Sequence, residues 1–292
     1  MMQELLTASA VLLRILCNPL GNVYQKKLTA KGWHPLLVNV LTYLILSLAA
    51  LLLAIFLKWP QVSLSFWIYA LAGGLAGGLG NGFLVKALAK GDLSVLGPVN
   101  SYKSIVGLLT GILLLQEWPG LWGLAGMAVI IAGSYFVLDT TDDRFSWKLL
   151  KRKEIQYRIW ALVLTAIEAV FVKKVILASS VPISFICWSI FGALFSLLFL
   201  KLERFPLKQE LAALKGRDAY GLIRIVLCIG LMQLTSAYSF QHMPVGYALA
   251  LFQLSSIVSV WLGYKIFQET QIRKKVIGSL IMIAGSVMIV FG

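Results

Sequence analysis

Arg14, Lys103 and Glu168 each lie near the middle of a long apolar run. An ionisable side chain at that depth of a bilayer costs about 2.5–3.5 kcal/mol on insertion scales, so it faces a wet cavity or a partner rather than lipid. Several chemistries are open to this trio. Lys103 can meet an anionic group of a solute. Alternatively, Lys103 or Arg14 can pair with Glu168 and simply hold helices together. Glu168 can be that counter-ion, or a desolvated carboxyl that takes up and releases a proton. Two central cations against one central anion leave a positive charge to spare. The surplus points to a solute bearing a carboxylate or phosphate, such as a zwitterionic amino acid. Lys103 is the sharpest candidate, because it follows Pro98, which frees a backbone carbonyl in the preceding turn, and stands beside Asn100, Ser101 and Tyr102.

Neutral polar residues add to this set. Asn18 precedes Pro19, and Asn39, Tyr43 and Asn81 follow in the next apolar runs; Gln233, Ser236, Tyr238, Tyr247, Gln253, Ser255 and Ser256 recur late in the chain. Any one of them suits an interhelical hydrogen bond. Their spread over several helices argues for a watery interior. The candidate solute-binding residues are therefore Arg14, Asn18, Asn81, Asn100, Tyr102, Lys103, Glu168, Gln253 and Ser256. Arg224 lies nearer a span end, where its stem can snorkel. Glu117, Lys265 and Glu269 sit at span ends as caps or anchors, and Trp33, Trp59, Trp118, Trp122 and Trp147 read as an interfacial belt.

Enzymatic chemistry finds little support. The acids are scattered, His34 and His242 are isolated, and Cys17, Cys187 and Cys228 are far apart and read as small buried apolar residues. No catalytic residue, metal site or cofactor is expected. No phosphate-binding glycine loop is present, so any transport draws on a gradient rather than on ATP, with proton coupling one option.

The elements that position these residues are transmembrane helices. The chain has 292 residues, 59% hydrophobic and 13% charged, where a soluble domain carries about 25% charged residues. Apolar runs long enough to cross a bilayer fall near 5–24, 34–57, 65–88, 93–115, 121–138, 157–178, 184–200, 220–240, 245–267 and 276–291. Ten spans and an all-α integral membrane fold in the cell membrane follow. The first run is too long for a signal peptide and reads as a retained span. The net charge of +14 sits mostly in short loops, which suits anionic lipid at one membrane face better than nucleic acid. The loops after spans one, three, five, seven and nine are basic, while the alternate loops carry only Lys58, Lys173 and Lys174. That bias places the central loop in the cytoplasm and both termini outside.

The chain repeats itself. Ser104-Ile105-Val106 recurs as Ser256-Ile257-Val258, Gln116-Glu117 as Gln268-Glu269, and Ile131-Ala132-Gly133-Ser134 as Ile283-Ala284-Gly285-Ser286, all at one offset. The copies occupy spans four and five, then nine and ten. An odd number of spans per copy forces opposite orientations, so the expected ground plan is two inverted five-helix repeats, residues 1–148 and 149–292, around a central cavity. Span three carries glycines at 73, 74, 77, 78, 80 and 82, which permits close helix approach, either as fixed packing or as a sliding face.

The stretch Gly91-Asp92-Leu93-Ser94-Val95-Leu96-Gly97-Pro98-Val99-Asn100-Ser101-Tyr102-Lys103, followed by Leu113-Leu114-Leu115-Gln116-Glu117, resembles the drug/metabolite transporter superfamily, EamA type. Met243-Pro244-Val245-Gly246-Tyr247-Ala248-Leu249-Ala250, leading to Gly263-Tyr264-Lys265-Ile266-Phe267-Gln268-Glu269, agrees in the second half. The resemblance implies ten spans, a cavity between halves, alternating access and movement of small metabolites such as amino acids. It also implies both termini in the cytoplasm, opposite to the loop charges, so orientation stays open. A further departure is Pro98, which has no proline counterpart in span nine. Oligomeric state is not legible. The alternatives are a flippase for a lipid or lipid-linked sugar, a membrane-embedded enzyme, and a non-transporting partner subunit; costly central charges argue against the last.

Overall fold

A computed structural model describes residues 2–103, 105–106, 120–140, 148, 151–203 and 219–291, with residues 290 and 291 described by backbone alone. Among them the protein is all helix. The helices are α1 (Met2–Ala30), α2 (Pro35–Ala54), α3 (Leu64–Leu88), the short α4 (Leu93–Leu96), α5 (Leu121–Leu138), α6 (Lys153–Ala178), α7 (Val181–Leu202), α8 (Ala219–His242), α9 (Val245–Phe252), α10 (Ser255–Phe267) and α11 (Ile272–Phe291). A 3-10 turn at Pro98–Ser101 follows α4. Among the described residues seven candidate spans are long and apolar enough to cross a membrane, α9 and α10 counting together as one. The spans expected at α6 and α11 are there as helices, but α6 carries Arg158, Glu168, Lys173 and Lys174, and α11 opens on Arg273, Lys274 and Lys275.

Local chemistry explains where several helices start. Pro35 and Pro182 occupy first-turn positions, where a missing N–H is harmless. Ser180 caps α7 by accepting a hydrogen bond from the Ile183 amide at 3.5 Å. Leucines such as Leu5, Leu12, Leu48, Leu52, Leu194 and Leu227 are exposed on the outer surface. A soluble protein would bury such a belt; lipid is its natural solvent.

Between helices in lipid, association depends on close packing and polar contacts more than on the hydrophobic effect. The span-three glycines supply the first. A methyl group on Gly78 would stand 2.8 Å from the Gly192 carbonyl oxygen of α7, and one on Gly80 would stand 2.8 Å from Thr165 Cγ2 of α6. α3 thus lies hard against α6 and α7 through the residues that the sequence marks for close approach. A second close contact joins α5 to α11: a methyl group on Gly126 would meet the Gly285 carbonyl at 2.7 Å, and one on Gly133 the Gly278 carbonyl at 2.9 Å.

Two spans are interrupted. In the fourth, Pro98 has no amide proton, and the Asn100 amide bonds the Gly97 carbonyl at 3.0 Å in a tighter turn, leaving the Leu96 carbonyl without its α-helical donor. In the ninth, a turn at Gln253 and Leu254 separates α9 from α10 although no proline is present. The two breaks are asymmetric, one at a proline and the other without one. The continuation of span four, with Glu117 and Trp118, and the central loop with Trp147 lie outside the described residues.

A polar cluster closes the end of the bundle that carries most of the basic loops. Gln268 ends α10 in a left-handed conformation, φ 56°, and turns the chain back. Glu269 then accepts from the Leu93 and Ser94 amides at 2.8 Å each, and pairs with Lys26 at 3.0 Å. Gly263 is needed for this fold-back, since a side chain there would meet the Glu269 carboxylate and Ser94 Cβ. Lys26 also donates to the Gly91 carbonyl at 2.9 Å, and Lys275 to Ser94 Oγ at 2.7 Å. Glu269 is a cap, as its position at a span end suggests, and it caps the broken span rather than its own helix.

Candidate functional site

α1, α2, α3, the broken span four, α6, α7, α8 and α9 enclose a chamber of about 840 Å³, its open mouth included. Arg14 enters from α1. Its Nε donates to Ser236 Oγ of α8 at 2.9 Å, and its guanidinium lies 4.6 Å over the Phe252 ring of α9. Arg14 Nη1 is buried without a partner. Glu168, from α6, accepts from Trp188 Nε1 of α7 at 2.6 Å. Gly77 of α3 makes room for that pair, since a methyl group there would stand 2.7 Å from Trp188 Nε1 and 3.2 Å from the carboxylate.

Lys103 follows the 3-10 turn and lines the same chamber, 8% exposed. Arg14, Arg158 and Glu168 are the charged groups whose fields reach it. Among the described residues Lys103 forms neither a salt bridge nor a hydrogen bond, and Glu168 forms no salt bridge. The Lys103–Glu168 and Arg14–Glu168 ion pairs that a purely structural role would require are not formed.

Of the sequence-predicted residues, Arg14, Asn18, Asn81, Asn100, Lys103 and Glu168 line the chamber together. The three others are not among its lining residues. The Tyr102 hydroxyl donates to Ser134 Oγ of α5 at 2.7 Å, so this ring fixes the far side of the break. Gln253 is buried, its Oε1 accepting from Asn100 Nδ2 at 3.3 Å and its Nε2 unpartnered. Ser256 is buried with its hydroxyl unpartnered. Tyr43, Gln233 and Ser236 also face the chamber. Asn39 supports the wall from behind, accepting from Asn81 Nδ2 at 2.6 Å and donating to the Gly78 carbonyl at 3.0 Å.

Sequence reasoning missed Arg158. Hydropathy starts span six at Tyr157, which puts Arg158 at the very edge of the span, where it reads as one more basic residue of the membrane interface. The helix begins at Lys153, and Arg158 stands more than a turn inside it, 5% exposed on the chamber wall. Its Nε donates to the orphaned Leu96 carbonyl and its Nη2 to Asn100 Oδ1, both at 2.8 Å. The signal available was Glu154 and Arg158 one turn apart, which marks helix already formed before the apolar run. Asn22 and Trp188 were also unmarked and line the chamber. Among the described residues no three of His, Cys, Asp and Glu gather as a metal group; the chamber offers cations, amides and aromatic rings.

These features define a class: a multi-pass helical membrane protein with a charged, largely buried chamber at its centre. The chain belongs to the EamA-like transporter family, whose model matches residues 6–139 and again residues 153–291. A protein of Streptococcus pyogenes serotype M1 named "Putative sugar uptake protein" is 24% identical over 250 residues, which is 79% of this chain and 80% of that one. A protein of Streptococcus agalactiae serotype V with the same description is 31% identical over 99 residues, 31% of this chain and 34% of the relative. A crystal structure of another protein is similar over 96% of each chain, with a TM-score of 0.67 at 15% identity, a likeness that shows the fold alone. Family membership makes the protein a membrane transporter of a small-molecule solute rather than an enzyme.

Proposed function

We propose that the protein is a secondary transporter that moves a small polar solute bearing a carboxylate or phosphate, such as an amino acid, by alternating access of the chamber to the two membrane faces. One observation carries this reading: Lys103 is a buried cation on the chamber wall with no ion-pair partner among the described residues. A protein that keeps so costly a group unpaired has a use for it when the chamber is filled. Arg14, Asn18, Asn81, Asn100 and Glu168 share the wall and complete the solute's surroundings, while Tyr102 and Gln253 hold the interrupted spans behind it.

The reciprocal contact of Gly126 with Gly285 and of Gly133 with Gly278 supports a plan of two inverted five-helix units, 1–148 and 149–292. Gly126 and Gly133 correspond in the repeat to Gly278 and Gly285, so the two copies of one motif pack head to tail. A second reading rests on the relatives' descriptions. The amides of Asn18, Asn22, Asn81 and Asn100, with the rings of Trp188 and Phe252, also suit a hydroxyl-rich sugar.

Both readings are separated by transport into vesicles reconstituted with purified protein and offered amino acids, sugar acids, sugar phosphates and neutral sugars. Lys103→Ala abolishes transport of the anionic solute while the protein stays folded and inserted. Undiminished transport in that variant, or transport of neutral sugars alone, rejects the anion reading. Glu168→Gln tests proton coupling: accumulation driven by a pH gradient is lost while solute exchange persists. Unchanged gradient dependence leaves Glu168 as a counter-ion.

A further inference from the structure

We propose that Arg158 is the second arm of the solute's anion subsite, and the residue that ties that subsite to the break in span four. The inference rests on the transport reading above, in which Lys103 is the first arm.

Arg158 crosses from α6 to the broken span and engages two acceptors there, the Leu96 carbonyl and Asn100 Oδ1, at 2.8 Å each. Both acceptors are neutral, so neither cancels its charge. A guanidinium has five N–H donors, so two contacts leave donors to spare on a side chain that lines the chamber. Lys103 lines it too, and the chamber's carboxylate, Glu168, accepts a hydrogen bond from Trp188 rather than forming a salt bridge with either cation. Two buried cations without a carboxylate partner suit one oxyanion with two or three oxygens. Arginine supplies a planar fork and lysine a compact point charge, the combination that carboxylates and phosphate monoesters accept.

The second half of the proposal concerns where Arg158 is attached. Leu96 is acceptor to Arg158 because the 3-10 turn deprives it of an amide donor, and Asn100, inside that turn, passes the contact on to Gln253 at the second interruption. An oxyanion that draws the guanidinium toward Lys103 therefore alters the hold on both interrupted spans at once. Arg158 is the positioning residue through which an occupied chamber reaches its most deformable backbone.

The test is a thermal-shift titration of the purified full-length protein with sodium gluconate, glucose 6-phosphate and glucose at matched ionic strength. Wild type is stabilised by the two anions at lower concentration than by glucose. Arg158→Gln raises the half-saturating concentration of both anions about tenfold or more, as expected for loss of a hydrogen bond to a charged group. Arg158→Lys keeps the charge on the chamber wall but not the fork that bonds Leu96 and Asn100. It recovers most of the anion affinity while its ligand-free melting temperature stays as low as that of Arg158→Gln, a pairing that a merely structural arginine would not give. Anion binding unchanged in both variants but lost in Lys103→Ala overturns this proposal and leaves the transport reading standing. A wild type that responds to neither anion overturns both.

Discussion

Replacing Lys103 with methionine tests the central claim through the sign of a stability change. A lysine that holds helices together through an ion pair destabilises when removed, by about 3–5 kcal/mol for a buried pair. Lys103 is 8% exposed and unpaired among the described residues, so its charge is a cost to the empty protein. Insertion scales put that cost at about 2.5–3.5 kcal/mol at the bilayer centre. Methionine keeps the stem's volume and bends to fit, so most of the cost is recovered. The field of Glu168 offsets part of it, while those of Arg14 and Arg158 add to it, so a conservative gain is about 2 kcal/mol. At about 2–4 °C per kcal/mol, the melting temperature of the ligand-free protein rises by about 4–8 °C. Thermal unfolding of wild type and Lys103→Met in the same detergent measures this, with anion binding titrated in parallel. The expected result is a more stable protein that no longer binds the anion. A melting temperature lowered by several degrees would show that Lys103 is structural and refute the reasoning.

Further outcomes follow from other contacts. Burial works to raise the Glu269 pKa, but hydrogen bonds from Ser94 and the charge of Lys26 outweigh it and hold the carboxyl below its ordinary value. Its contribution to stability is therefore present above the unfolded carboxylate pKa and is lost as pH falls through the folded one. Glu269→Gln should lower the melting temperature at pH 7 by an amount equivalent to about 1.5–3 kcal/mol, the range for hydrogen bonds to a charged group; the gap from wild type should close on acidification, as pH-dependent melting curves would show, and a gap constant with pH would refute the assignment. Gly126→Val brings its first side-chain carbon to 2.7 Å from the Gly285 carbonyl oxygen, and should cost about 1–3 kcal/mol as overpacking. Unfolding in denaturant reports it, and an unchanged midpoint would mean that α5 and α11 do not pack this closely.

Hydropathy locates the helices well because lipid exposure and apolar composition are the same requirement. It misplaces their ends because backbone hydrogen bonds continue past the last apolar residue. α1 runs on to Ala30 through Lys26 and Lys27, and α6 starts at Lys153, which is how Arg158 passed for a residue of the span edge. The break in span four was legible from Pro98; the one at Gln253 was not, since nothing in its residue types forbids helix. Within the site, charge at mid-span was the strongest guide, and Arg14, Lys103 and Glu168 meet in one chamber. Adjacency was a poor guide. Tyr102 and Lys103 are neighbours in sequence, yet successive helical residues point about 100° apart, one to α5 and the other to the chamber.

The two sides of the span-four break are fastened to different things. Before it, the Leu93 and Ser94 amides are gripped by Glu269; after it, Tyr102 is fastened to α5 through Ser134. Between these anchorages run a proline and a tight turn with fewer backbone bonds than α-helix, braced from the side by Arg158 on Leu96 and Asn100. Any displacement of one anchorage against the other is thus absorbed over Gly97–Ser101, much as a strap clamped at both ends bends at its thinnest width. Torsion there, rather than tilting of whole rods, is the motion that this geometry makes cheapest.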